Sequence, residues 1–322
     1  MIGRHRIVVQ NNKLHYELDI KRNITIIMGS SATGKTTLVD MVRQNMNLGS
    51  DSGIDVICDV PCVVLEGRNW QAVLSGIEGS IVFIDEGNHF VKSEEFASAI
   101  KDSDNYYVII TRENLYNLPY SVDEIYGIHS SGKYKDTRKV FQEMYRIYGS
   151  NIVDTASPQM FIVEDSNSGY DFFHAVTAEK GLKCISAAGK SNIYECVKKH
   201  GRDAGMLCVI ADGAAFGAEM NRIYHLSRQN KNVVLYLPES FEWMLLQAGL
   251  LDSRSVQDIL AEPEKYIDSR IYFSWEQYFT QLLVNKTADT YLQYSKKKLN
   301  PVYLHEKIKE KILSVVPNTL WK

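Results

Sequence analysis

The sequence predicts an α/β chain in two units, closed by a helical C-terminal tail. Short apolar runs of strand length alternate with stretches of helical periodicity over the first 250 residues. A Gly-, Ser-, Asn- and Pro-containing stretch at 148–159 interrupts that series once, and beyond residue 250 only helical patterns remain. A length of 322 residues favours two domains, expected over 1–150 and 151–250, with the tail over 251–322. Apolar residues at 45% and charged residues at 23% are those of an ordinary globular chain, which excludes disordered, collagen-like and coiled-coil classes. Lys and Arg total 36 against 39 acids, for a net charge of −3, which argues against a wholesale basic nucleic-acid binder and allows a local basic patch. Five cysteines without a CxxC pair or a histidine cluster read as reduced thiols and argue against zinc. No run approaches the ~18–20 apolar residues of a membrane span, and the first residues lack the apolar core of a secretory signal. The expectation is a cytoplasmic protein.

Taken in order, residues 4–28 alternate loosely about an Asn11-Asn12 turn and read as a hairpin leading into a buried strand, Ile24–Met28. Thr37–Met46 carries apolar residues at helical spacing. Further buried strands are expected at Val60–Leu65, Ile81–Ile84 and Tyr106–Thr111, the pattern of a mostly parallel sheet covered by helices. Ser121–Ile128, a Ser130-Ser131-Gly132 turn and Lys139–Ile147 form a closing hairpin, although the last segment reads equally as a helix. In the second series, strands at Met160–Val163, Lys183–Ser186, Met206–Ala211 and Asn232–Leu237 alternate with helices near Asp171–Lys180 and Asn192–His200. Pro263 and Pro301 break the tail.

The segment Gly29, Ser30, Ser31, Ala32, Thr33, Gly34, Lys35, Thr36, with Thr37 following, has the spacing G-x-x-x-x-G-K-T between an apolar strand and a helix. Glycines let the backbone curl its N–H groups onto phosphate oxygens, and the helix N-terminus adds a positive dipole. The Lys35 ammonium can reach the β and γ phosphates, and the Thr36 hydroxyl can ligate Mg²⁺. About 50 residues on, Ser80-Ile-Val-Phe-Ile-Asp85-Glu86 sets two acids at a strand end. Asp85 would hold Mg²⁺, and Glu86 would polarise the attacking water. The pair of motifs resembles P-loop ATPases, specifically their additional-strand, catalytic-glutamate branch (ABC- and AAA-like). That resemblance implies ATP and Mg²⁺ as cofactors and a further strand between the two motif strands, ending in a polar sensor. Tyr107-Val-Ile-Ile-Thr111-Arg112 supplies the strand and Thr111 the sensor. Arg112 reads either as an arginine finger or as a surface ion-pair partner. Leu74-Ser75-Gly76 lies too near Asp85 for an ABC signature and reads as a turn. His89 reads as a phosphate relay or, more plainly, a surface histidine. The glutamate directly after Asp85 favours hydrolysis over phosphoryl transfer to a metabolite.

Residues 160–245 resemble Toprim domains, the metal-dependent folds of topoisomerases, primases and overcoming-lysogenization-defect nucleases. Phe161-Ile-Val-Glu164-Asp165 matches the first strand and its glutamate. Asp212-Gly213-Ala214-Ala215-Phe216-Gly217 matches the later motif, with Ala214 where the family has a second aspartate. Glu239 and Glu242 fall where a further acid opens the next helix. The resemblance implies a second, one-metal site on Glu164, Asp212 and Glu242, with Asp165 beside it. A metal-free relic and a domain whose strand-end acids are merely solvated stay open beside that reading.

Lys190 reads as a phosphate contact near those acids, and Ser191 beside it as a helix cap. Within 286–322, eight basic residues face three acids. Tyr272, Tyr278, Tyr291, Tyr294 and Tyr303 interleave with Lys286 and Lys296-Lys297-Lys298, which reads either as a nucleic-acid surface or as a helix face with snorkelling lysines. The combined resemblance, to ATPase-plus-Toprim nucleases of mobile-element and phage-defence systems, implies ATP-driven action on, or sensing of, nucleic acid. The alternative is a nucleotide switch whose second domain binds a protein partner without catalysis. With no complete signature motif in the chain, hydrolysis is expected to need an oligomer.

Overall fold

A computed structural model describes residues 1–29, 34–131, 139–149, 157–201, 205–251, 253–317 and 320. The chain is α/β with a large, mostly parallel sheet, and it divides into two compact units. The first comprises Met1–Tyr148 and Pro263–Ser274; the second comprises Gly149–Glu262 and Trp275–Lys322. The stretch after 250, expected as one tail, is therefore split: Pro263–Ser274 belongs to the first unit.

In the first unit, β1 (His5–Gln10) and β2 (Leu14–Ile20) form the expected hairpin, with Asn11 Oδ1 accepting from the N–H groups of Lys13 and Leu14 at 2.8 Å each. After β3 (Ile24–Ile27) come α1 (Lys35–Leu48), β4 (Asp55–Ile57), β5 (Cys62–Val64), α2 (Trp70–Leu74) and β6 (Ile81–Ile84). Then follow α3 (Glu94–Lys101), β7 (Tyr106–Ile110), β8 (Ile125–Ser130) and β9 (Val140–Arg146). The segment at 139–147 is thus a strand, not a helix, and pairs antiparallel with β8; the turn expected between them falls partly outside the described residues. The order of the sheet is β4-β1-β2-β9-β8-β3-β7-β6-β5. Strands β3, β7, β6 and β5 run parallel, and β7 lies between β3 and β6.

All the residues of β3, β6 and β7 are buried, because helices cover both faces of this part of the sheet. On one face Ile27, Phe83, Val108 and Ile110 pack against Leu38, Val39, Met41 and Val42 of α1. On the other, Tyr107 meets Phe96 of α3, which in turn packs on Trp70 and Phe90. Alternation along β7 sends successive side chains to the two faces.

The second unit carries a four-stranded, wholly parallel sheet in the order β11-β10-β12-β13, from β10 (Met160–Val163), β11 (Lys183–Ser186), β12 (Leu207–Ile210) and β13 (Val233–Tyr236). Around it lie α4 (Ser168–Glu179), α5 (Ile193–His200), α6 (Gly217–Gln229), α7 (Phe241–Gln247) and α8 (Arg254–Ala261). Two further helices, α9 (Trp275–Thr287) and α10 (Glu306–Ser314), complete it. Of the linker expected at 148–159, residues 150–156 lie outside the described residues.

Candidate nucleotide site and acidic cluster

β3 delivers the chain to Gly29, with φ +133°, and α1 opens on Gly34, with φ +84°. Both are backbone conformations in which glycine carries no Cβ penalty. At Gly34 a Cβ would also lie 2.7 Å from the Tyr16 hydroxyl. Tyr16, on β2, donates to the Gly34 carbonyl at 2.9 Å and hydrogen-bonds the Thr37 side chain. Ser30, Ser31, Ala32 and Thr33 lie outside the described residues. Among the described residues no side chain caps the start of α1, and no acid stands in its first turn, which leaves the helix terminus suited to an anion. Lys35 is buried, and its ammonium donates to the Gly29 carbonyl at 3.1 Å. Burial and the charge of Arg112 lower its pKa, with Glu86 and Asp85 acting against them. Thr36 and Thr37 are exposed.

Asp85 and Glu86 follow β6. Asp85 Oδ1 accepts from the Glu86 N–H at 2.8 Å, and partial burial raises the Asp85 pKa. Glu86 faces Arg112, which follows β7, at 2.8 Å. The parallel register Ile84↔Ile109 brings those two strand ends side by side. Thr111 is buried, but its hydroxyl is engaged locally, accepting from the Glu113 N–H at 3.0 Å and donating to the Glu113 carbonyl at 3.3 Å. His89 is exposed. On α1, Arg43 is held between Asp40, one turn before it, and Glu66, at 2.9 Å from the latter. Neither Tyr16 nor this network is signalled by any motif.

In the second unit Glu164 follows β10 and Asp212 follows β12, neighbouring parallel strands with Val163 opposite Ile210. The Asp212 N–H donates to Glu164 Oε2 at 3.0 Å, and Asp212 Oδ1 accepts from the Phe241 N–H at 3.1 Å. Glu242, in the first turn of α7, is 1% exposed; its Oε1 accepts from the Tyr294 hydroxyl at 2.8 Å, while Oε2 is buried without a partner. Asp165 Oδ1 accepts from the Tyr170 N–H at 2.9 Å. Burial raises Glu164 to about 7 and Asp212 well above its ordinary value, and Glu276 adds to both shifts. Lys296 forms an ion pair with Glu276. Lys190 donates to the Ala215 carbonyl at 2.9 Å, and its charge opposes the rise of Glu164.

Glu164, Asp212 and Glu242 are thus neighbours, yet among the described residues no group of three or more His, Cys, Asp or Glu side chains is arranged to hold a metal ion. Gly213 has no room for a side chain, since a Cβ would lie 2.6 Å from the Leu237 carbonyl oxygen. Ala214 is 2% exposed and its N–H donates to the Glu239 carbonyl at 3.1 Å. An aspartate at 214 would therefore be a further buried acid. The residues of the tyrosine–lysine stripe differ in unit and in burial. Tyr272 belongs to the first unit, Tyr294 and Tyr303 are buried, and only Tyr291 stands well exposed at 72%. Lys297 and Lys298 remain exposed.

No protein-family model and no curated protein matches this chain. Among the described residues, no helix is long and apolar enough to cross a membrane.

Proposed function

We propose that the first unit binds ATP with Mg²⁺ and hydrolyses it. The observation that carries this reading is the convergence at one sheet edge of Lys35, opening an uncapped helix, with Asp85 and Glu86 one strand beyond the intervening β7. Ligands of α/β sheets bind outside the carboxyl ends of their strands. In this reading Lys35 and the first-turn N–H groups of α1 bind phosphate oxygens, and Gly29 and Gly34 let the backbone approach them. Thr36 and Asp85 would hold Mg²⁺, which neutralises phosphate charge when bound. Glu86 orients the attacking water and takes its proton, once that carboxylate is turned from Arg112 to the water. Thr111, with its hydroxyl tied to Glu113, fixes the turn that presents Arg112.

The output of hydrolysis has two readings. One is action on, or sensing of, nucleic acid through the second unit, as in the defence systems the sequence resembles. The other is a nucleotide switch that engages a protein partner without further catalysis. The engagement of Glu164, Asp212 and Glu242 in hydrogen bonds with this chain's own donors favours the second. The test is nucleotide affinity and phosphate release for wild type, Lys35→Ala and Glu86→Gln. Binding without Lys35 dependence, or equal hydrolysis by wild type and Glu86→Gln, overturns the assignment.

A further inference from the structure

The acidic cluster of the second unit lies where its sequence motif implies a divalent ion, and its donor set does not suit one. A hard cation requires several carboxylate oxygens turned toward it at about 2.0–2.6 Å. Here one oxygen each of Glu164, Asp212, Glu242 and Asp165 accepts a hydrogen bond from this chain. A cation is nevertheless present. The segment joining α9 to α10 is strapped across the start of α4: Ser168 Oγ donates to the Ser295 carbonyl at 2.6 Å and the Ser168 N–H to the Lys296 carbonyl at 3.1 Å. Farther on, the Leu299 N–H donates to Asp171 Oδ2 at 3.2 Å. That strap puts the Tyr294 hydroxyl on Glu242 and the Lys296 ammonium on Glu276. The charge of Lys296 reaches Glu242, Asp212 and Asp165 as well.

We propose that Lys296 is the resident cation of this cluster, and that the second unit binds no divalent metal there. An ammonium is a compact charge with three N–H donors, suited to acids already partly satisfied by other donors. Ala214 fits the same design, because a cage with one carboxylate fewer needs less positive charge to neutralise it. The Lys296 side chain is 38% exposed, so its removal opens the cluster to ions from solvent. Glu242 Oε2, buried without a partner, would then be a ready ligand. The inference is independent of the nucleotide reading and concerns a different unit.

The experiment is Mn²⁺ binding to the full chain without nucleotide, followed by electron paramagnetic resonance, for wild type, Asp212→Asn, Lys296→Met and the double variant. Wild type and Asp212→Asn should bind Mn²⁺ alike. Lys296→Met should gain one site at least about tenfold tighter, the scale on which partners of metal ligands act, and Asp212→Asn should abolish that gain. Its melting temperature should fall without metal and recover with Mn²⁺. Wild type holding an Mn²⁺ that Asp212→Asn releases overturns the proposal, whether or not Lys296→Met folds. So does a folded Lys296→Met that gains no site.

Discussion

Two pairs of acids end parallel strands in this molecule, and they are treated in opposite ways. Asp85 and Glu86 stand partly exposed, and Glu86 meets Arg112 across a contact in which the two side chains are 37% and 52% exposed. Such a pair is held weakly, because water competes for both ends. Glu164 and Asp212 are bound to each other's strand end and to α7, and Lys296 and Lys190 lie beside them. An acid at a strand end signals chemistry only where its partners can leave. In the first unit the partner of Glu86 is a half-exposed arginine side chain; in the second the acids accept from backbone N–H groups held by the fold.

The largest effect expected is that of Lys35→Ala, which should remove nucleotide binding altogether in a titration with a fluorescent ATP analogue. Glu86→Gln should bind that analogue as wild type does and turn ATP over at least ~10²-fold more slowly, the usual scale for a lost general base. Under the same assay Asp212→Asn should stay within about twofold of wild type, since that carboxyl is engaged inside the second unit, accepting from the Phe241 N–H of α7. A loss as deep as that of Glu86→Gln would break the comparison. Turnover should also fall on dilution through the association range, and fast, concentration-independent turnover by a proven monomer would contradict the expected assembly.

A smaller effect sharpens what complete burial does to an acid. Glu124 is 0% exposed, 3.3 Å from Arg22, and burial raises it from 4.5 to about 6. Its folded pKa exceeds its unfolded one, so its contribution to stability is full below pH ~4.5 and lost as pH rises through about 6. That change is on the order of 2 kcal/mol. The difference in unfolding free energy between wild type and Glu124→Gln should shift by this amount across the window, and a pH-independent difference would refute it. Smallest of all, Arg112→Gln should alter the stability of nucleotide-free protein by no more than about 1 kcal/mol in denaturant unfolding, as for other exposed pairs.

The central strands were legible because their apolar runs are bounded by turn residues and buried on both faces, as in β6 and β7. The strand before Gly29 and the helix from Lys35 were legible because the pattern is local: strand, glycines, lysine and helix fall within a dozen or so residues of one another. β4 was missed, being three residues with two of them exposed. The segment at 139–147 was ambiguous because its side chains are intermediate or exposed throughout, which leaves little apolar periodicity to read. Tyr16 reaches Gly34 across 18 residues and Lys296 reaches Glu276 across 20. Nothing in the local pattern distinguishes them from the chain's other tyrosines and lysines. Lys296 in particular sits in a run of three lysines, of which only the fold singles out one.

The first unit is not finished when its sheet is. Glu264 accepts from the Gly3 N–H at 2.8 Å, and the Phe273 carbonyl accepts from Asn23 Nδ2 at 2.8 Å. Pro263–Ser274 thus completes a body whose strands were all laid down before residue 149. On a ribosome emitting the chain from its amino end, the whole of Gly149–Glu262 must emerge before that closure. The first unit therefore spends that interval with an open seam, and its final locking waits on the synthesis of Gly149–Glu262. Loop closure over so long an excursion is slow to nucleate. The order of assembly is written into the order of the chain: the sheet of the first unit, then Gly149–Glu262, then the last stitch of the first unit, and only afterwards Trp275–Lys322, which completes the second.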